Sequence, residues 1–254
     1  MDERRIIPIL QLENGRFVKT KKFDLRNKTY IGDPINTLRI FNEFQLDEVV
    51  ILDITASKLK KISIELLRDI ASECFMPLTY GGGIQNLKDA ENIISVGFEK
   101  ISFNSQYLRN STLISETIRS LGSQAVVCSI DYGWLDGGYR IFDHLSRKFT
   151  NIELENYLLQ CTDLGFGELI ITNIQREGSW EGYDIEGIKK ICRLTSVPII
   201  ANGGAVNQTD AQKVFELSAD AGVSSSVLFL KNESGVLVNF PFERRNQLEL
   251  TYND

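Results

Sequence analysis

Two glycine-rich turns carry the first sign of chemistry. Tyr80-Gly81-Gly82-Gly83-Ile84 follows a strand-like run and opens a helix-like one, and Ala201-Asn202-Gly203-Gly204-Ala205 does the same later in the chain. Glycine lets backbone N–H groups approach phosphate oxygens closely, and the helix that follows adds the partial positive charge of its N-terminus. One such turn can equally serve only to make a tight strand-to-helix connection. Two at equivalent points, each followed one strand later by small polar residues (Asn104-Ser105 and Ser224-Ser225-Ser226), favour two phosphate cradles. A ligand phosphorylated at both ends would span Gly82, Gly83, Asn104 and Ser105 on one side and Gly203, Gly204, Ser225 and Ser226 on the other.

Gln11 and Asp131 stand at the C-terminal ends of the first and fifth strand-like runs. Asp131 can act as a general acid or base, whereas an amide such as Gln11 forms hydrogen bonds but exchanges no proton at useful pH. Asp53 ends the second run and reads either as a third site carboxylate or as a cap for Thr55 and Ser57. His144 is the only histidine and has no Ser or Cys nucleophile signature near it, so a Ser-His-Asp or Cys-His mechanism is not expected and a surface or loop position is. Trp134 and Trp180, after the fifth and sixth runs, either cover a ligand or pack the rim, with rim packing preferred. Cys74, Cys128, Cys161 and Cys192 are far apart in the chain and lack CxxC spacing, so neither a disulfide framework nor a metal site is predicted.

These groups need a scaffold that brings strand ends together. Eight β-rich runs alternate with helical segments: Ile6–Leu10, Val49–Leu52, Leu78–Tyr80, Lys100–Phe103, Ala125–Ile130, Glu168–Thr172, Ile199–Ala201 and Gly222–Ser226. Runs separated by crossover-length segments predict a parallel sheet of βα units. Asp33-Pro34 places an N-cap before a proline at the first helical position, and Ile35, Leu38 and Phe41 follow along one stripe.

The second half of the chain repeats the first. Pro77, Gly82, Gly83, Asn86, Asp89 and Ala90 recur 121 residues later as Pro198, Gly203, Gly204, Asn207, Asp210 and Ala211. A (β/α)8 TIM barrel made of two (βα)4 half-barrels explains that spacing better than an open doubly wound sheet. The expected layout is one barrel domain over residues 1–254, with a hairpin inserted between Tyr132 and Thr150 around Asp136-Gly137-Gly138.

Composition closes off other classes. With 254 residues, 43% of them hydrophobic, the chain suits one large α/β domain. A net charge of −6 and no Lys/Arg run give a nucleic acid or an anionic membrane no electrostatic support. No run has the length of a signal core or a membrane span, which predicts a cytoplasmic protein. No cofactor is expected.

These residues resemble the HisF family, the cyclase subunits of imidazole glycerol phosphate synthase, over nearly the whole chain. The resemblance rests on Arg5-Ile6-Ile7-Pro8, Gly32-Asp33-Pro34, Leu52-Asp53-Ile54-Thr55-Ala56-Ser57, Gly81-Gly82-Gly83-Ile84, Gly122-Ser123-Gln124-Ala125-Val126-Val127, Gly182-Tyr183-Asp184 and Gly203-Gly204. It implies a HisH-like glutaminase docked on the bottom of the barrel and ammonia sent through the centre, past a charged gate matching Arg5, Glu48, Lys100 and Glu168. It also implies phosphate binding at Gly83, Asn104, Ser105, Gly178, Gly204, Ser225 and Ser226.

Of that family's two catalytic aspartates, the resemblance leaves Asp131 and puts Gln11 in place of the other. Glu177 matches the acidic residue of the phosphate loop, one methylene longer, and Gln175 stands where a further aspartate is usual. The chain is most similar to the AglZ-type acetamidino-modification branch, on Tyr30-Ile31-Gly32-Asp33-Pro34-Ile35-Asn36 and Ala71-Ser72-Glu73-Cys74-Phe75-Met76-Pro77-Leu78. That implies a second partner, an ATP-dependent N-acetyl-sugar amidotransferase, and conversion of an acetamido to an acetamidino group on a surface-polysaccharide sugar, with cyclase activity weak or lost. The alternative is a histidine-biosynthesis cyclase with an altered catalytic pair.

Overall fold

Proline has no N–H to give a sheet, and Pro8 interrupts the first strand at the point where the sheet closes on itself. A computed structural model describes residues 5–43, 46–217, 222–223, 230–232 and 235–237. In chain order its strands are β1 (Arg5–Ile6), β2 (Ile9–Glu13), β3 (Arg16–Lys19), β4 (Thr29–Gly32), β5 (Val49–Asp53), β6 (Leu78–Gly81), β7 (Lys100–Phe103), β8 (Val126–Leu135), β9 (Gly138–Asp143), β10 (Lys148–Glu153), β11 (Glu168–Asn173), β12 (Ile199–Asn202), β13 (Gly222–Val223), and the separate antiparallel pair β14 (Leu230–Asn232) and β15 (Gly235–Leu237). β1 pairs with β13, and the parallel order then runs β12, β11, β8, β7, β6, β5 to β2, where the chain itself links back to β1. This is the (β/α)8 barrel expected from the alternation of runs.

The helices start where the side chains say they should. α1 (Pro34–Glu43) begins after Asp33, whose carboxylate accepts from Asn36 N at 3.2 Å, and it buries Pro34, Thr37, Leu38 and Phe41. α4 (Leu87–Ser95, the fourth helix in chain order) is capped by Asn86 accepting from Asp89 N. α8 (Gln208–Phe215, the eighth) is capped by Asn207 accepting from Asp210 N. In both, the aspartate reaches back to the loop amide before the cap, Asp89 to Gln85 N at 2.8 Å and Asp210 to Val206 N at 3.0 Å. The 121-residue repeat is thus a repeat of capping geometry as well as of sequence.

Two antiparallel extensions add to the barrel, β2–β3–β4 and β8–β9–β10. β2 turns into β3 at Asn14-Gly15, both at positive φ, and β8 turns into β9 at Asp136-Gly137, again both positive. Such pairs match the twist of two-residue hairpin loops. The first carries the Asn-Gly signal between apolar runs, which the alternation of βα units does not predict. The first strand also differs from expectation, being split at Ile7-Pro8 and extended to Glu13. The eighth expected run is described only at Gly222 and Val223.

Strand side chains alternate between two cores. Val49, Ile51, Val126, Cys128, Leu169, Ile171, Ile199 and Ala201 belong to the larger core, which the helices cover. Their neighbours Val50, Val127, Ile170 and Ile200, with Ile7, form a second cluster against which Ile9 and Leu52 pack. That second cluster fills the barrel interior. Among the described residues no helix is long and apolar enough to cross a membrane, and no three His, Cys, Asp or Glu side chains are grouped to hold a metal ion.

Candidate functional site

The C-terminal ends of the strands open into a cavity of about 310 Å³ and, beside it, a smaller lobe of about 60 Å³. Gln11, Phe23 and Leu52 line both. The large lobe holds Gly82, Gly83, Asn104, Ser105 and Asp131, and the small one holds Glu177, Gly178, Gly203 and Gly204. Gln11 therefore stands between the two glycine turns. Ser225 and Ser226 lie outside the described residues.

The glycines are needed where they are. A Cβ on Gly82 (φ +131°) would lie 2.3 Å from the Asp53 carbonyl oxygen, and one on Gly204 (φ +98°) 2.3 Å from that of Gly182. Gly203 and Gly178 also have positive φ, and a Cβ on Gly178 would lie 2.5 Å from the Thr20 carbonyl oxygen. The loops between strand and helix are thus packed backbone to backbone.

Asp131, where β8 leaves the barrel and runs on into the hairpin, is almost wholly buried. Its Oδ2 accepts from Asn104 Nδ2 and lies 2.7 Å from His144 Nε2. His144 was expected on a surface or loop; it does sit in the turn after β9, but its ring lines the large lobe and is wedged between Phe23 and Phe142, with centroids 4.6 and 5.2 Å away. The turn is fixed by Asp143, which accepts from Arg109 Nη2 at 2.6 Å, from Leu145 N at 3.2 Å and from Ser146 N at 3.1 Å. Burial works against a charge on His144, but Asp131 beside it outweighs that and raises its pKa above the ordinary value. No sequence motif marks this pair, because the two residues meet only through the register of β8 with β9.

The other polar groups have settled tasks. Asp53 accepts from Ala56 N at 2.7 Å, capping the helix that starts at Ile54, and from the Tyr80 hydroxyl at 3.2 Å. Burial raises its pKa. Glu177 accepts from Phe23 N at 2.9 Å and Thr20 Oγ1 at 3.2 Å, which ties the loop after β3 over the small lobe; burial raises its pKa too. Gln175 clamps the hairpin, accepting from Trp134 N at 2.9 Å and donating to Trp134 O at 3.1 Å. Trp134 is half exposed, and Trp180 lies beneath the Lys19 ammonium, 4.1 Å from its ring centre. Among the described residues, Gln11 Oε1 is buried with no hydrogen-bond partner. A buried acceptor left open this way costs about 1–3 kcal/mol unless a ligand donates to it.

At the opposite end of the barrel, Arg5, Glu48, Lys100 and Glu168 form one closed ring. Arg5 reaches Glu48 at 3.1 Å and Glu168 at 2.5 Å, and Lys100 reaches both carboxylates at 2.9 Å. Thr79 Oγ1 adds a bond to Glu48 at 2.8 Å. Burial opposes the charges on Arg5 and Lys100, yet Glu168 and Glu48 prevail and raise both pKa values. Each buried carboxylate is shared by two cations, so no charge in the ring stands alone. Between this ring and Gln11 lies the apolar cluster of Ile7, Val50, Val127, Ile170 and Ile200.

Comparison with known proteins agrees with this architecture. The family model described as "Histidine biosynthesis protein" matches residues 5–233. "Putative imidazole glycerol phosphate synthase subunit HisF" of Leptospira interrogans is 41% identical over 242 residues, covering 93% of this chain and 94% of that protein. "Putative imidazole glycerol phosphate synthase subunit hisF2" of Pseudomonas aeruginosa is 39% identical over 248 residues, 95% and 97% of the two chains. "Imidazole glycerol phosphate synthase subunit HisF" of Alkaliphilus metalliredigens is 38% identical over 240 residues, 93% and 94%.

Proposed function

The chain belongs to the histidine biosynthesis protein family, and from that premise we propose that it is the barrel subunit of an imidazole glycerol phosphate synthase-type complex in the cytoplasm. A separate HisH-like glutaminase docks on the bottom face, and the ammonia it releases reacts at the top with a phosphate-bearing ligand seated between the two glycine turns. The ring of Arg5, Glu48, Lys100 and Glu168 beneath an apolar interior carries this reading. Four partly buried charges are tolerable because they neutralise one another. An apolar interior above them admits neutral ammonia and excludes ammonium.

Gln11 favours a second reading of the same complex. The amide removes one of the two proton-transferring groups that the family's cyclase reaction uses, and such a loss typically costs on the order of 10²–10⁴-fold in rate. The second acceptor is an acetamido group on a surface-polysaccharide sugar, converted to acetamidino with an ATP-dependent N-acetyl-sugar amidotransferase as the further partner. Purified barrel supplied with ammonium salt and the cyclase substrate separates the two. Imidazole product formed at an enzyme's ordinary rate keeps the histidine-biosynthesis reading. A trace rate, together with nitrogen transfer to the sugar when the amidotransferase is added, establishes the second.

A further inference from the structure

Ammonia adding to a carbon that bears oxygen forms a C–N bond, and the oxygen then leaves as water with cleavage of the C–O bond. Addition and water loss each move one proton from nitrogen to oxygen. The site therefore needs one group to take a proton and another to give one. Asp131 supplies the first, and Gln11 cannot supply the second. Asp53 is held as a helix cap and as the acceptor of the Tyr80 hydroxyl.

We propose that His144 is the missing proton-transfer group of this site. Asp131 takes the proton shed by nitrogen, the His144 imidazolium gives one to the departing oxygen, and the proton on Asp131 then passes to His144 across their 2.7 Å contact. The pair thus returns to its starting state after each step. Gln11 keeps a positioning role, its open buried Oε1 accepting an N–H or O–H of the ligand. The inference rests on the reading that ammonia is consumed at the top of the barrel.

The geometry is prepared for this. Phe23 and Phe142 hold the ring edge-on, and Arg109 fixes the turn through Asp143. The charged groups that bear on His144 are Asp131 from β8 and Asp143 and Arg147 from its own turn, and the two carboxylates favour the imidazolium that the step requires.

The test uses the full chain with ammonium salt and the cyclase substrate, at constant free-ammonia concentration across pH. His144→Gln should lower the rate by on the order of 10²–10⁴-fold, and it should remove the fall in wild-type rate that follows deprotonation of the imidazolium at rising pH. Gln11→Asp should rescue His144→Gln by at least tenfold while changing the wild type less. A His144→Gln enzyme with an unaltered pH profile, or one that Gln11→Asp fails to rescue, overturns the proposal. His144 is the chain's only histidine, so its NMR titration is unambiguous. It should titrate above the ordinary value of about 6.5 and fall on Asp131→Asn. A wild type that makes no imidazole refutes the cyclase reading and leaves this titration to decide: a pKa that Asp131→Asn does not move overturns the proton-sharing pair.

Discussion

Gln11 and Asp131 stand on opposite sides of one barrel where β2 and β8 run on into hairpins, yet only Asp131 can change charge, and the proposed second proton-transfer group comes from a hairpin. The sequence makes these two residues legible because each directly follows a run of β-formers, Ile6–Leu10 and Ala125–Ile130. It does not make His144 legible, since its contact with Asp131 depends on a positive-φ turn at Asp136-Gly137 and on the antiparallel register that follows. A histidine with a raised pKa stabilises the fold in its protonated form. That contribution is fully present below the unfolded value of about 6.5, and it is lost as pH rises through the higher folded value. Urea denaturation should therefore show wild type and His144→Gln differing more at pH 6 than at pH 9. An equal difference at both would mean that the histidine contributes only packing.

At the scale of elements, the glycine turns admit two uses that the sequence does not separate. Reading them as phosphate cradles uses their freedom to approach a ligand, whereas the structure shows that their first use is to let strand ends and loops pack backbone against backbone. Gly204 and Gly15 distinguish the effects. Both have positive φ, but a Cβ on Gly15 meets nothing within 4 Å, whereas one on Gly204 meets the Gly182 carbonyl oxygen at 2.3 Å. Gly15→Ala should cost about 1–2 kcal/mol, the left-handed backbone penalty alone. Gly204→Ala should cost clearly more and should also weaken binding of inorganic phosphate at the small lobe. Chemical denaturation and phosphate titration of the two variants check this; equal costs would show that the loop at Gly182 simply gives way. The repeated Asn and Asp caps of α4 and α8 were readable because capping is local. The β2–β3 hairpin shows in the sequence only through its Asn14-Gly15 turn, which the alternation of βα units does not include.

Across the whole molecule, three layers stack along the barrel axis: a neutral ring of four charges, a belt of Ile and Val, and a polar site between two glycine turns. The order of layers follows from alternation along strands. Glu168, Ile170 and Thr172 in β11 point inward in turn, with Leu169 and Ile171 facing the helices. Such alternation could be read from the runs of β-formers, but which face was the interior required the closure that β1, Pro8 and β2 provide. The claim that ammonia passes through these layers is tested most directly in the assembled complex, by comparing product formation from glutamine with that from added ammonium salt in wild type and Lys100→Ala. Removing Lys100 leaves Glu48 and Glu168 each short of a cation at the mouth of the passage, whereas ammonia from bulk solvent reaches the top without crossing it. The predicted result is a glutamine-driven rate that falls by at least tenfold relative to the ammonium-driven one. Equal losses from both nitrogen sources, together with a lower melting temperature, would show that the ring only holds the barrel together and would contradict the passage.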